Sequence, residues 1–208
     1  MSEGKIVSRY TTGARINHWI TAASLILLAL SGLALFHPSL FFLTNLFGGG
    51  QATRAIHPWI GVVLLLSFTG LFIRFFSLNL WKPEDTVWMK NLGKVINDQE
   101  EGMPELGKYN AGQKLVFWGQ SILILLLFCS GLVLWDVYFE DYTTIDQKRL
   151  AAVIHALCAI GAILIWIVHV YAVIWVRGTL RAMTRGSVTR GWGFKHHRKW
   201  FRQEVGKP

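Results

Sequence analysis

The chain has 208 residues, enough for one domain, and is 52% hydrophobic but only 16% charged. Soluble domains carry nearer a quarter charged residues, so an ordinary soluble globule is excluded and lipid is indicated as the solvent. The net charge of +9 would suit nucleic acid or an anionic membrane. Its basic residues stand beside the apolar runs rather than on one soluble face, which excludes a nucleic-acid partner and leaves the membrane surface.

In chain order, four runs are long enough to cross about 30 Å of hydrocarbon, which takes about 20 helical residues. They are Ile16–Phe36, Ala55–Phe76, Leu115–Val137 and Leu150–Val176. The first follows Lys5, Arg9 and Arg15 with no small-residue cleavage site after it, and is expected to be retained rather than removed as a signal. His37-Pro38 ends it, and Gly48-Gly49-Gly50 fills the short loop before the second. Lys82-Pro83-Glu84-Asp85 opens the long middle loop, 77–114, of which Leu80–Tyr109 is amphipathic and expected at the membrane surface. A basic tail, 177–208, closes the chain. Its Lys195-His196-His197-Arg198-Lys199-Trp200 string suits either anionic headgroups or partner docking. Cys129 and Cys158 lie inside apolar runs without CxxC spacing, so they are expected to be small buried packing residues. No internal repeat is evident. The fold expected is all-α and integral to the membrane: one domain, 1–208, built as a four-helix bundle.

Orientation follows from the cations. Of the 21 lysines and arginines, only Arg54, Lys148 and Arg149 fall in the first and third loops. The positive-inside rule therefore puts both termini and the middle loop in the cytoplasm.

Ionisable residues inside a span are costly and usually functional, and here they are mostly histidines: His18, His57, His155 and His169. His155 and His169 are fourteen positions apart on one helix, a rise of about 21 Å and a rotation within about 40° of four full turns. They therefore share a helix face at two depths. By the direction of each span, His18 matches His169 near the inner side and His57 matches His155 near the outer side. Neutral imidazole is a good axial ligand for haem iron, so two bis-histidine haems b stacked across the bilayer are expected. A proton relay or a structural network is the competing reading. Zinc would need three or four ligands at one depth, and copper usually recruits sulfur. Gly32, Gly61, Gly131 and Gly161 could let a porphyrin approach the backbone, or serve plain helix packing. His37, His196 and His197 are expected to be solvated or interfacial. Arg15, Arg54 and Lys114 lie at depths suited to haem propionates, although cations at helix ends commonly snorkel.

At these residues the chain resembles the cytochrome b (gamma) subunit of membrane-bound, quinone-linked formate dehydrogenase. The matching strings are Asn17-His18-Trp19, Ile56-His57-Pro58 with Gly61, Gly107-Lys108-Tyr109-Asn110-Ala111-Gly112-Gln113-Lys114 followed by Phe117-Trp118, Ile154-His155-Ala156, His169 with Tyr171, and Lys195-His196-His197 with Trp200. The resemblance implies an outer haem on His57 and His155 and an inner haem on His18 and His169. It also implies a quinone, menaquinone or ubiquinone, reduced beside the inner haem near Asn110, Gly112, Gln113 and His169. An iron–sulfur beta subunit and a molybdenum or tungsten catalytic alpha subunit would supply the electrons, and the complex could form a higher oligomer. Independently of the resemblance, Asn110 and Gln113 can donate amide hydrogen bonds to a carbonyl oxygen, and Gly112 would admit a flat ring to the backbone. Asn110 could equally be a helix cap. The chain itself performs no formate chemistry on this reading. The alternatives are the cytochrome b subunit of a quinone-linked hydrogenase and a non-redox membrane anchor for a peripheral enzyme.

Overall fold

The computed structural model describes residues 6–97 and 102–205. Lys5 and residues 98–101 of the middle loop lie outside the described residues. In chain order the elements are β1 (Ile6–Ser8), α1 (Thr12–Phe36), a 3₁₀ helix (Pro38–Phe47), α2 (Gly50–Phe75), a 3₁₀ turn (Phe76–Asn79), α3 (Pro83–Lys90), α4 (Leu92–Ile96), α5 (Ala111–Val133), α6 (Asp136–Phe139), a 3₁₀ turn (Glu140–Tyr142), α7 (Ile145–Trp175), α8 (Thr179–Arg185), β2 (Ser187–Thr189), α9 (Arg190–His196) and α10 (Arg198–Val205).

Four of these, α1, α2 with the turn that follows it, α5 and α7, are long and apolar enough to cross a membrane. Their apolar side chains point outward as well as inward: Leu66, Ile73, Leu157 and Ile174 are 65–75% exposed. A helix apolar on all sides needs lipid around it. Cys158 is buried, but Cys129 is exposed on such a face, against the expectation that both would be buried.

Each spanning helix starts earlier than its apolar run, because polar caps rather than hydropathy set the ends. Thr11 accepts from the Ala14 N–H at 3.3 Å and starts α1 at Thr12. Gly48 and Gly49, with φ of 86° and 99°, turn the chain, and α2 starts at Gly50. Thr144 and Gln147 bond reciprocally, at 2.8 and 3.3 Å, and start α7 at Ile145. This is the Thr-x-x-Gln capping box. At the other end of the third run, α5 stops at Val133 instead of continuing to Val137, and a new turn begins at Asp136.

The described residues form two compact units. The second unit holds residues 16–73 and 119–167, the greater part of the four long helices. Within it, Thr21 donates to Ser67 at 3.1 Å, tying α1 to α2, and Gln120 donates to the Ala162 carbonyl at 2.9 Å, tying α5 to α7. Gly70 lies so near Asn17 that a Cβ there would meet the amide nitrogen at 2.8 Å.

The first unit holds residues 6–15, 74–97, 102–118 and 168–205 of the described chain. It contains the one departure from an all-α fold among the described residues: β1 pairs antiparallel with β2, Val7 opposite Val188. Val188, Ala182, Trp192 and Trp200 form one apolar cluster in it, and Trp88, Leu106 and Ala111 another. Arg9 is 5% exposed, lies over the Trp192 and Trp200 rings at 4.9 and 4.6 Å, and donates to the Lys108 carbonyl. His197 is 1% exposed and donates from Nδ1 to the Gly107 carbonyl at 2.8 Å, so the expectation of a solvated or interfacial His197 is overturned. Burial, reinforced by the positive charge of Arg9, pushes its pKa well below the usual histidine value. Lys199 and Arg202 pair with Glu84 and Glu105, holding α10 to the middle loop.

Candidate functional site

Within the second unit, α1, α2, α5 and α7 enclose a cavity of about 720 Å³, within the range of small-molecule and cofactor pockets. His57 from α2 and His155 from α7 both line it. Apart from these two, Arg54 and Asp136, its lining side chains are aliphatic or aromatic, with glycine, alanine and Pro58 among them. Trp59, Trp135 and Tyr138 stack edge-to-face along one part of the wall, with centroids 5.0 to 6.2 Å apart. The cavity is apolar in its body and charged where Arg54 lies.

The two imidazole centroids are 6.3 Å apart with the rings inclined by 62°. A metal ion held between two imidazole nitrogens at about 2 Å, with about 1.2 Å from nitrogen to ring centre, separates the centres by about 6.4 Å. The pair therefore has the spacing of two axial ligands on one metal. Among the described residues, no three His, Cys, Asp or Glu side chains gather as a metal site. A metal here would take its other ligands from the group that carries it, which is what a porphyrin provides.

Each imidazole is held from behind by a serine on the neighbouring helix. Ser31 of α1 lies 2.7 Å from His57 Nδ1, and Ser130 of α5 lies 2.9 Å from His155 Nδ1. Gly32 and Gly131 follow these serines, and a Cβ at either would come to 3.5 or 3.4 Å from the ring Cε1, in van der Waals contact with the imidazole. Gly61 lines the cavity with open space before it, whereas Gly161 packs on Leu123. The sequence carries the signal for this arrangement. Leu-Leu-x-x-Ser-Gly-Leu-x-Leu occurs at 27–35 and again at 126–134, and each copy is followed by an Ile-His pair, Ile56-His57 and Ile154-His155. The two helical hairpins are thus a repeat, contrary to the expectation of none.

The other expected site residues divide between the units. His18 stands on α1 in the second unit, edge-on to Trp19 at 5.4 Å, and His169 stands on α7 in the first. Asn110, Gly112 and Gln113 lie together at the start of α5. Asn110 Oδ1 accepts from the Gln113 N–H at 2.9 Å, and Gln113 Oε1 accepts from the Asn110 N–H at 3.0 Å. This reciprocal cap turns both amide oxygens to the backbone, so each NH₂ is the outward group. The ring lying against Gly112 is the Trp88 indole, 3.3 Å from where a Cβ would be. Of the expected propionate partners, Arg15 donates to the Met183 and Thr184 carbonyls, and Lys114 is buried with Asp85 at 2.5 Å and with the Leu80 carbonyl at 3.0 Å. Only Arg54 of those three lines the cavity. Exposed His37 caps the 3₁₀ helix that follows it by accepting from the Ser39 N–H.

Residues 9–186 match the family profile described as prokaryotic cytochrome b561. The chain is 41% identical over 203 residues to the cytochrome b556(fdo) subunit of formate dehydrogenase from Escherichia coli K12, covering 98% of this chain and 95% of that one. It is 35% identical to the nitrate-inducible cytochrome b556(Fdn) subunit of the same organism, covering 98% and 94%. To the formate dehydrogenase cytochrome b556 subunit of Haemophilus influenzae it is 34% identical, covering 96% and 84%.

Proposed function

Because the chain belongs to the prokaryotic cytochrome b561 family, a family of membrane b-type cytochromes, we propose that it is the transmembrane electron-transfer subunit of a formate dehydrogenase, carrying two haems b and reducing quinone. The observation that carries this reading is the pair of imidazoles from α2 and α7, spaced for one metal across an apolar cavity. Bound there, haem iron supplies reversible one-electron chemistry. His57 and His155 would hold the outer haem, the aliphatic walls would exclude water from it, and Arg54 would neutralise a propionate. An inner haem on His18 and His169 rests on their matching depths along the sequence and on the resemblance. Together the two haems would relay electrons from an iron–sulfur beta subunit, fed by a molybdenum or tungsten alpha subunit.

At the start of α5, Asn110 and Gln113 present amide donors suited to a quinone carbonyl, beside Gly112 and on the same unit as His169. The eighteen lysines and arginines outside the first and third loops support a cytoplasmic position for both termini and the middle loop. The quinone would then take its protons from the cytoplasm while electrons move inward, building membrane potential. In a bacterial inner membrane each charge moved is worth about 2.3 kcal/mol per 100 mV.

A pyridine haemochrome assay on the native complex, with its subunits identified, tests this. Two haems per chain, reduced by formate, are expected. Reduction by hydrogen in a complex containing a hydrogenase would favour the hydrogenase alternative, and a fully assembled protein without haem absorbance would favour the anchor.

A further inference from the structure

Each imidazole of the pair has a buried serine behind it. Ser31 is fully buried and Ser130 is 7% exposed. Ser31 Oγ lies 2.8 Å from the Leu27 carbonyl and 3.3 Å from that of Leu28. Ser130 Oγ lies 2.7 Å from the Leu126 carbonyl and 3.2 Å from that of Leu127. A hydroxyl has one hydrogen to donate and two lone pairs to accept with. Carbonyls can only accept, so each serine hydrogen is committed to its own helix. The oxygen then faces the imidazole as an acceptor, and Nδ1 must carry the proton.

We infer that Ser31 and Ser130 are positioning residues that fix His57 and His155 as Nδ1–H tautomers and aim both Nε2 lone pairs into the cavity. The inference rests on the outer-haem reading and deepens it. In a neutral imidazole one nitrogen donates and the other accepts, and the hydrogen bond made by one sets the role of the other. Partners of this kind orient a metal-ligating histidine and raise its basicity. A more basic axial ligand favours ferric over ferrous iron, so these hydrogen bonds lower the potential of the haem they hold. The repeat gives the same device to both axial ligands: a helix turn of Leu-Leu-x-x-Ser, with the imidazole arriving 26 or 25 residues after the serine on the next helix. The following glycine lets the ring's Cε1 approach that turn.

The test uses the full complex with Ser130→Thr and Ser130→Val, two side chains of equal shape that differ in the hydroxyl, and the same pair at Ser31. Haem content, the midpoint potential of each haem and the low-spin ferric electron paramagnetic resonance signal are measured. Threonine should keep two haems and the parental potential. Valine should raise the potential of the outer haem alone and shift its ferric signal, or lose that haem while threonine retains it. Equal behaviour of the threonine and valine variants, whether both normal or both stripped of haem, would assign the serines to packing and overturn the inference. Failure of the outer-haem reading itself looks different: His155→Ala would then lose no haem from the parental complex.

Discussion

Replacing Asp85 with Asn removes one charge from a buried ion pair and leaves its shape. Asp85 is 1% and Lys114 3% exposed; the carboxylate takes hydrogen bonds from Lys114 Nζ at 2.5 Å and from the Lys82 N–H at 2.7 Å. Asparagine can still accept from Lys82 and cap α3, so the cap is kept. What remains is a buried ammonium facing a neutral amide and the Leu80 carbonyl. Breaking a buried pair from one side costs about 3–5 kcal/mol, because the surviving charge stays desolvated. At about 1.4 kcal/mol per factor of ten, local opening of α3 and the first turn of α5 should rise by roughly two to three and a half powers of ten. Amide hydrogen exchange on the assembled complex, resolved by peptide, reads this opening directly. Peptides from Gly119–Val133 should hold their protection. The double variant Asp85→Leu with Lys114→Met should restore most of the loss, since an apolar pair of similar volume replaces both charges. A change below tenfold in Asp85→Asn would show that the ammonium finds water or another acceptor, and would refute the reasoning.

Three further outcomes are expected. Gln113→Glu and Asn110→Asp keep the capping oxygens but remove the amide donors, so α5 should stay as protected as in the parent while quinone reduction slows; Ala at either position should cost about 0.5–2 kcal/mol of cap as well. Normal quinone kinetics in all of these would leave the residues as caps alone. His155→Ala should remove one haem and stop reduction of quinone by formate, with the helices still folded by circular dichroism; a parental rate would mean the pairing of His57 with His155 is wrong. The tail should loosen in acid. His197 is neutral in the fold with its pKa held well below the ordinary value, so on acidification the unfolded tail takes up a proton near pH 6.5 that the folded tail refuses. Stability present above that pH is lost as the pH falls. Fluorescence of the tail tryptophans from pH 7.5 to 5 should report the loosening, and His197→Gln should flatten it.

The four long apolar helices and the meeting of His57 with His155 were legible because hydropathy and helix period are local properties. Helix starts are not legible in hydropathy because the caps are polar: Thr11, Thr144 with Gln147, and Asn110 with Gln113 sit outside the apolar runs they begin. The end of α5 was misjudged for the opposite reason, since Leu134 and Trp135 are as apolar as a continuing helix would be. A single Ser-Gly in a membrane helix reads as packing; only the second copy, with the matching Ile-His, marks the serines. His197 could not be placed from its neighbours, because its partners, Arg9 and Gly107, come from distant parts of the chain.

The repeat has a consequence for biogenesis. On the proposed reading each hairpin offers one lone pair to the outer haem, so neither half of the polypeptide would hold that iron from both sides without the other. A chain emerging from the ribosome and entering the bilayer helix by helix would present His57 early and its counterpart only when α7 has been inserted. Insertion of the outer haem would then wait for α7, and a product truncated after Val133 would be left with half of that coordination site.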